Sequence, residues 1–394
     1  MTLKRLLLCK VGTDFDPARH VAAGPWCFSG AEDVFPEWDR QDFAEAFSNS
    51  AEWADNIGLT QRLAEQLVAV WAERLNARHG RAYGIRFWRV MTLNWLVNAV
   101  QSLWFRWRHA SALIVRQAGQ PLEIALWLGD DTDWHAADFI AFYRAMLRPR
   151  MEYWMTSLVW DALAPASWPR LSLPPTESDR AVAAAAPPAA QETFSGRVAR
   201  TLFGRLPFNS IPGIKAAKLP LSLLILALPR RPSADRYDDT CGDHAILDHF
   251  PPAFLAVLDH FLSETLPRSL GADFHGIESR ATGLRYAPGR LLLDTVAAPD
   301  DAVRIIGAMA HEKGERVVTS QHGSDYGDRL AVSDAPVLEY PYHGFISWGW
   351  KAQANYRGNF VPLPAPVLSR TANRHREASA DMILVGSHIS VRGT

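Results

Sequence analysis

Three consecutive residues, Gln321-His322-Gly323, bring together an amide, an imidazole and a position with no side chain. A histidine titrates near neutral pH, so His322 can act as acid or base, or donate to a phosphate or carboxylate. Gly323 lets the chain bend sharply and lets a ligand approach the backbone closely. Ser324, Asp325, Tyr326 and Gly327 extend the same loop. Upstream, Asp294 closes the apolar run Leu291-Leu292-Leu293 and offers a carboxylate suited to a base or nucleophile. Downstream lie Glu339, Tyr340, Tyr342 and His343, then Phe345-Ile346-Ser347-Trp348-Gly349-Trp350. The flat faces of Trp348 and Trp350 suit sugar rings or bases, although tryptophan is also common core material. Plainer roles exist as well: His322 capping its loop, Asp294 in a turn, Asp325 bonding its own backbone.

These residues need a scaffold, and the pattern from 290 onward supplies an α/β one. Arg290 to Asp294 reads as a strand. Pro299-Asp300-Asp301 opens a helix, with acidic residues where the helix dipole favours them. Val303, Ile306 and Met309 follow helical spacing, and the helix stops near Gly314. Arg316 to Ser320 is the next strand. Strand, helix, strand is a βαβ unit with parallel strands and a right-handed crossover. Ligands of such sheets bind at the carboxyl ends of the strands, which places Asp294 and His322 on one rim. Phe345–Trp348, Asn359–Leu363 and Met382–Gly386 read as further strands.

Before this unit the chain is mainly helical. Leu6 to Cys9 reads as a first strand, within a strand-and-loop stretch to residue 58. Thr60 is placed to cap a helix carrying Leu63, Leu67, Val70, Trp71 and Leu75, which Gly80 ends. Arg86 to Arg108 reads as a helix apolar on most sides and therefore buried. Helical patterns recur over 134–158 and 245–266. Prolines among alanines mark 162–192 as a linker or surface loop. The expected division is a strand plus helix-rich region over 1–161, the linker over 162–192, an α/β region with the rim over 193–380, and over 381–394 the first strand of a domain continuing past Thr394.

Composition narrows the function classes. The 394 residues are 48% apolar and 21% charged with net charge −1, which gives no general reason to expect a nucleic-acid partner. Fifteen tryptophans point to a large aromatic core. Three cysteines, Cys9, Cys27 and Cys241, show no CxxC spacing and fit a reducing, cytoplasmic compartment. The N-terminal apolar run is too short for a signal peptide, and Leu219–Leu228 is far below the ~20 residues that span a bilayer. That second run is compatible with a buried strand or with a contact at the inner face of the membrane. The sequence does not specify an oligomeric state.

The C-terminal motifs resemble a family of bacterial transferases encoded with surface-carbohydrate genes. In that family a QHG-x-x-YG loop precedes an acidic residue and a strand ending in WGW. Here these are Gln321 to Gly327, Glu339 and Trp348-Gly349-Trp350. Val361 to Pro366 is similar to the segment leading into the family's last domain. Gly24-Pro25-Trp26-Cys27 resembles an L-G-E-W-C element, with Pro25 in place of the acidic residue. Arg86-Phe87-Trp88-Arg89 and Trp95 resemble the family's R-Y-W-R segment, and Ser324-Asp325 replaces a Gly-rich pair. The resemblance implies a GT-B-like architecture of two Rossmann-like halves, the second apparently truncated at Thr394. It implies transfer of a sugar from a nucleotide-activated donor, CMP- or UDP-linked (an acidic sugar such as Kdo among the candidates), to a surface polysaccharide or lipopolysaccharide acceptor, with no cofactor and no metal. His322 and Asp294 are then the catalytic candidates. Gln321, Gly323, Ser324, Asp325, Tyr326, Glu339, Trp348 and Trp350 are the substrate-binding ones.

Two other classes fit less well. One is a non-catalytic module that binds carbohydrate or a partner through aromatics. The other is a metal-dependent hydrolase using Asp243, His244, Asp248, His249, His260 and His275. The i,i+5 spacing of His244 and His249 does not align them on one helix face.

Overall fold

The structure is a computed structural model that describes residues 3–9, 14–41, 43–117, 119–128, 132–173, 244–283, 290–292, 301–321, 326–327, 331–353 and 356–364. Asp294, His322, Gly323, Ser324, Asp325, Asp243, Leu219–Leu228, most of the 162–192 segment and the strand expected at Met382–Gly386 lie outside the described residues.

Two four-stranded sheets, each wholly parallel, organise the chain. The first has the order β2-β1-β3-β4, from β1 (Lys4–Leu7), β2 (His20–Ala22), β3 (Leu122–Leu126) and β4 (Arg170–Ser172). The second runs β5-β6-β7-β8, from β5 (Arg290–Leu292), β6 (Arg316–Ser320), β7 (Gly344–Trp348) and β8 (Phe360–Leu363). The expected βαβ unit is present: helix α7 (Asp301–Glu312) crosses from β5 to β6, with Leu291 paired to Val317. The first sheet enlarges the single strand expected beside the helices of the N-terminal region into four. Its strands are three to five residues long, too short for a legible periodicity, and β4 falls inside the segment expected to be a linker.

The remaining helices are α1 (Ser50–His79), α2 (Ile85–Arg116), α3 (Phe139–Met146), α4 (Pro149–Leu163), α5 (Pro252–Glu264), α6 (Phe274–Gly283) and the single turn α8 (Ala335–Leu338). Helix α1 starts ten residues before Thr60. Asn49 caps it by accepting from the Glu52 N–H at 2.9 Å, while the Glu52 carboxylate reaches back to the Ser48 N–H. This is a form of capping box. Thr60 sits mid-helix instead, its hydroxyl turned onto the Asn56 and Ile57 carbonyls of the preceding turn. Gly80 ends α1 in the left-handed region, φ +59°, as expected. The 134–158 pattern divides into α3 and α4, because Pro149 can open a helix but not continue one. Likewise 245–266 is a 3-10 turn (His244–His249) followed by α5 after Pro251-Pro252.

Helix α2 is the axis of the molecule. It is apolar on most sides because it packs against α1, α4, α5 and α7 at once. Trp88 and Trp95 on it are fully buried. Trp95 meets Trp71 edge-on at 4.8 Å, and Trp88 lies against Phe274 at 5.4 Å. One continuous core runs from Leu6 in the first sheet through α2 to Ile305 on α7 and Val317 in the second sheet. No described helix is long and apolar enough to cross a membrane.

Candidate functional site

Strand β6 is buried on both faces, as a central parallel strand must be. Its last residues point the chain at the carboxyl edge of the sheet. Gln321 adds one rung past Ser320, its N–H donating to the Ile346 carbonyl at 2.8 Å. Its side-chain carbonyl then accepts two bonds: the Trp348 N–H and the Trp350 indole N–H, each at 2.8 Å. Gly349, with φ +90°, turns the chain between those two donors. The Ser347 hydroxyl fixes the same turn by donating to the Trp350 carbonyl. Gln321 is 4% exposed, so a neutral carbonyl with two lone pairs suits the place and a carboxylate would be desolvated there. Gln321, the residue before His322 in the chain, is thereby anchored to the end of β7.

Trp350 is built into an aromatic cluster. Its ring packs on Phe360 at 4.8 Å and on Phe345 at 5.8 Å. Gly327, φ +89°, lies against it so closely that a Cβ there would stand 3.0 Å from the indole. Trp348 is half-buried at the end of β7. Tyr326 stacks on Phe345 with ring centroids 5.6 Å apart. Burial, then the negative charges of Glu339 and Asp334 with a hydrogen bond to Glu339, hold its phenol pKa above the usual range. Tyr326 is therefore a proton-bearing donor, not a phenolate. Glu339 is 1% exposed at the end of α8, and its backbone carbonyl accepts from the Thr319 hydroxyl at 2.7 Å. The carboxylate works inward, on Tyr326.

The structure thus brings Gln321, Tyr326, Glu339, Trp348 and Trp350 into one assembly around the ends of β6 and β7. His343 is at the other end: its Nδ1 accepts from the Val317 N–H, near the start of β6. Tyr342 faces away from the rim, against His311 at 5.0 Å.

Arg89, the last residue of the Arg86-Phe87-Trp88-Arg89 segment, was not among the candidate site residues, yet it joins that segment to this assembly. Its buried guanidinium forks onto the Glu65 carboxylate (2.6 and 3.1 Å), donates to the Val337 carbonyl and lies 5.9 Å from the Tyr342 ring centre. An arginine inside an apolar helix is the available signal, because such a charge is buried only when paired. The Gly24-Pro25-Trp26-Cys27 element forms a 3-10 turn beyond β1. Its Cys27 thiol is fully buried and pushed up to about 12 by that burial, which leaves it unreactive.

Among the described residues no three His, Cys, Asp or Glu side chains gather as a metal site. His275 instead lies 3.6 Å from Glu278, which Arg81 and Tyr83 also bond.

No curated protein and no solved structure matches the chain. A family model does, over residues 4–392, and its description is LIC12162 family transferase. With nearly the whole chain covered, the protein belongs to the LIC12162 family of transferases.

Proposed function

We propose that the chain is a glycosyltransferase of GT-B-like build, moving a sugar from a nucleotide-activated donor to a surface polysaccharide or lipopolysaccharide acceptor. Membership of a transferase family supports group transfer, and two parallel α/β sheets are compatible with that build. The observation that carries the reading is the pair of hydrogen bonds that Gln321 accepts from Trp348 and Trp350, which fixes the residue before His322 at the carboxyl edge of β6. That edge is where such sheets bind ligands.

In this reading the acceptor hydroxyl attacks the anomeric carbon, the bond from that carbon to the phosphate oxygen breaks, and the nucleotide leaves with the electron pair. Asp294 takes the acceptor proton, or acts as nucleophile in a two-step route. His322 holds or protonates the departing phosphate. Gly323, Ser324 and Asp325 contact substrate, Tyr326 supplies a donor held by Glu339, and the half-buried face of Trp348 borders the pocket. The protein works in the cytoplasm, at or near the inner membrane face.

Calorimetry with CMP and UDP, followed by a transfer assay over a panel of CMP- and UDP-sugars, tests this. Micromolar binding of one nucleotide and loss of turnover in His322→Ala are expected. Wild-type turnover in that variant, or no binding of either nucleotide, would overturn it.

A further inference from the structure

A cavity of about 360 Å3 lies between the helices of the N-terminal half and the 331–338 segment of the second half. This is within the range of small-molecule pockets, roughly 300–1,000 Å3. One wall is a polar stripe on α2. Asn94, Asn98, Gln101 and Ser102 recur at helical spacing along an otherwise apolar helix. Polar side chains inside such a helix are costly unless they find partners. Asn98 donates one amide N–H to the Asn94 carbonyl, and Gln101 donates one to the Ser333 carbonyl, both at 2.7 Å. Among the described residues, nothing bonds the side-chain oxygens of Asn98 and Gln101 or the Ser102 hydroxyl. The rings of Phe139 and Tyr143, from α3, also line the cavity.

The charges select the ligand. Arg106 is already bound by Glu152, both ends of the pair being nearly buried, and Asp334 adds a further carboxylate. A phosphate would meet two carboxylates and one engaged guanidinium. A neutral ring with several hydroxyls meets both amide and hydroxyl groups and aromatic rings in the same lining.

We propose that this cavity binds a neutral sugar ring, its hydroxyls on Asn98, Gln101 and Ser102 and its carbon face on Tyr143. Asp334 belongs both to the cavity and to the charged surroundings of Tyr326, which links the bound sugar to that tyrosine. Its role as the acceptor rests on the proposed function; the binding of a sugar does not.

Saturation-transfer NMR on the full chain tests it, with the methyl glycosides of glucose, galactose, mannose and N-acetylglucosamine as probes. At least one is expected to receive saturation at its ring protons, undisturbed by excess UMP. Asn98→Leu and Tyr143→Ala are each expected to weaken it about tenfold, the size of one lost hydrogen bond or stacking contact. Tyr143 is 38% exposed, so Tyr143→Ala leaves the fold intact and carries the test if Asn98→Leu unfolds. The proposal is overturned if no glycoside binds the wild-type chain, if binding survives in Tyr143→Ala, or if UMP displaces it. Glycoside binding without CMP or UDP binding would leave this site standing and remove the nucleotide-donor reading instead.

Discussion

Glu312 caps helix α2 at Gly84, a residue 228 positions before it. Its carboxylate accepts the Gly84 N–H at 2.6 Å and the Phe87 N–H at 3.1 Å, at the start of α2. The free N–H groups and partial positive charge of that helix end both favour the anion. Gly84 leaves room for it, since a Cβ there would sit 3.0 Å from the carboxylate oxygen. Glu312→Ala is expected to lower stability by about 1–2 kcal/mol, the usual worth of a cap. Glu312→Gln is expected to keep part of this, because an amide oxygen still accepts. Urea unfolding midpoints of the two variants give the order.

Gln321→Leu removes the shared acceptor of the Trp348 N–H and the Trp350 indole. Each orphaned buried donor costs about 1–3 kcal/mol. The indole N–H resonance of Trp350 is expected to move and to exchange faster, and nucleotide binding to weaken with it. An unchanged indole resonance would show that the bond is absent in solution.

Gly327→Ala combines an unfavourable positive φ with a Cβ pressed on the Trp350 ring. The expected loss is about 1–3 kcal/mol. A companion change, Trp350→Leu, is expected to relieve the contact but not the backbone strain, so the double variant recovers only part of the loss. Full recovery would locate the whole cost in the ring.

Arg89→Met strands Glu65 and the Val337 carbonyl. Breaking one side of a buried pair costs about 3–5 kcal/mol, and here the lower end is expected because Glu65 keeps some solvent contact. Arg89→Lys keeps the charge but not the fork, and is expected to fall between. Thermal unfolding of both variants checks the ranking.

Glu278 gives the fold an acid-sensitive contact. Bonds from Arg81 first, and also from Tyr83, lower its carboxyl from 4.5 to about 2, while Tyr83 is pushed up to about 12 by burial and by Glu278. A depressed folded-state pKa means the unfolded chain binds the proton more readily. The contribution is therefore complete above about pH 4.5 and fades as pH falls toward 2. Wild type is expected to exceed Glu278→Gln in unfolding midpoint at pH 6, with the gap narrowing between pH 4.5 and 3. A gap constant with pH would assign the difference to packing.

The β5-α7-β6 unit was readable because its strands are apolar runs and its helix has a clean period between turn signals. Gln321 was singled out in the sequence, but its two hydrogen bonds from Trp348 and Trp350 were not legible, since hydrogen-bond partners across strands leave no mark in spacing. Of the first sheet only β1 was expected, because β2 and β4 are three residues each. The start of α1 carried a signal in Asn49 and Glu52, masked by the polar run Asp55-Asn56 that follows. The roles of Arg89 and Glu312 depend on groups more than two hundred residues away in the chain, which no local pattern encodes.

Helix α2 is stitched to the second half at its N-terminal end and in its middle, by Glu312 at Gly84, by Arg89 at Val337 and by Gln101 at Ser333. A clamshell motion across that seam would tear all three stitches. A ligand therefore meets a frame already joined along α2, and selectivity becomes a matter of preset shape more than of closure.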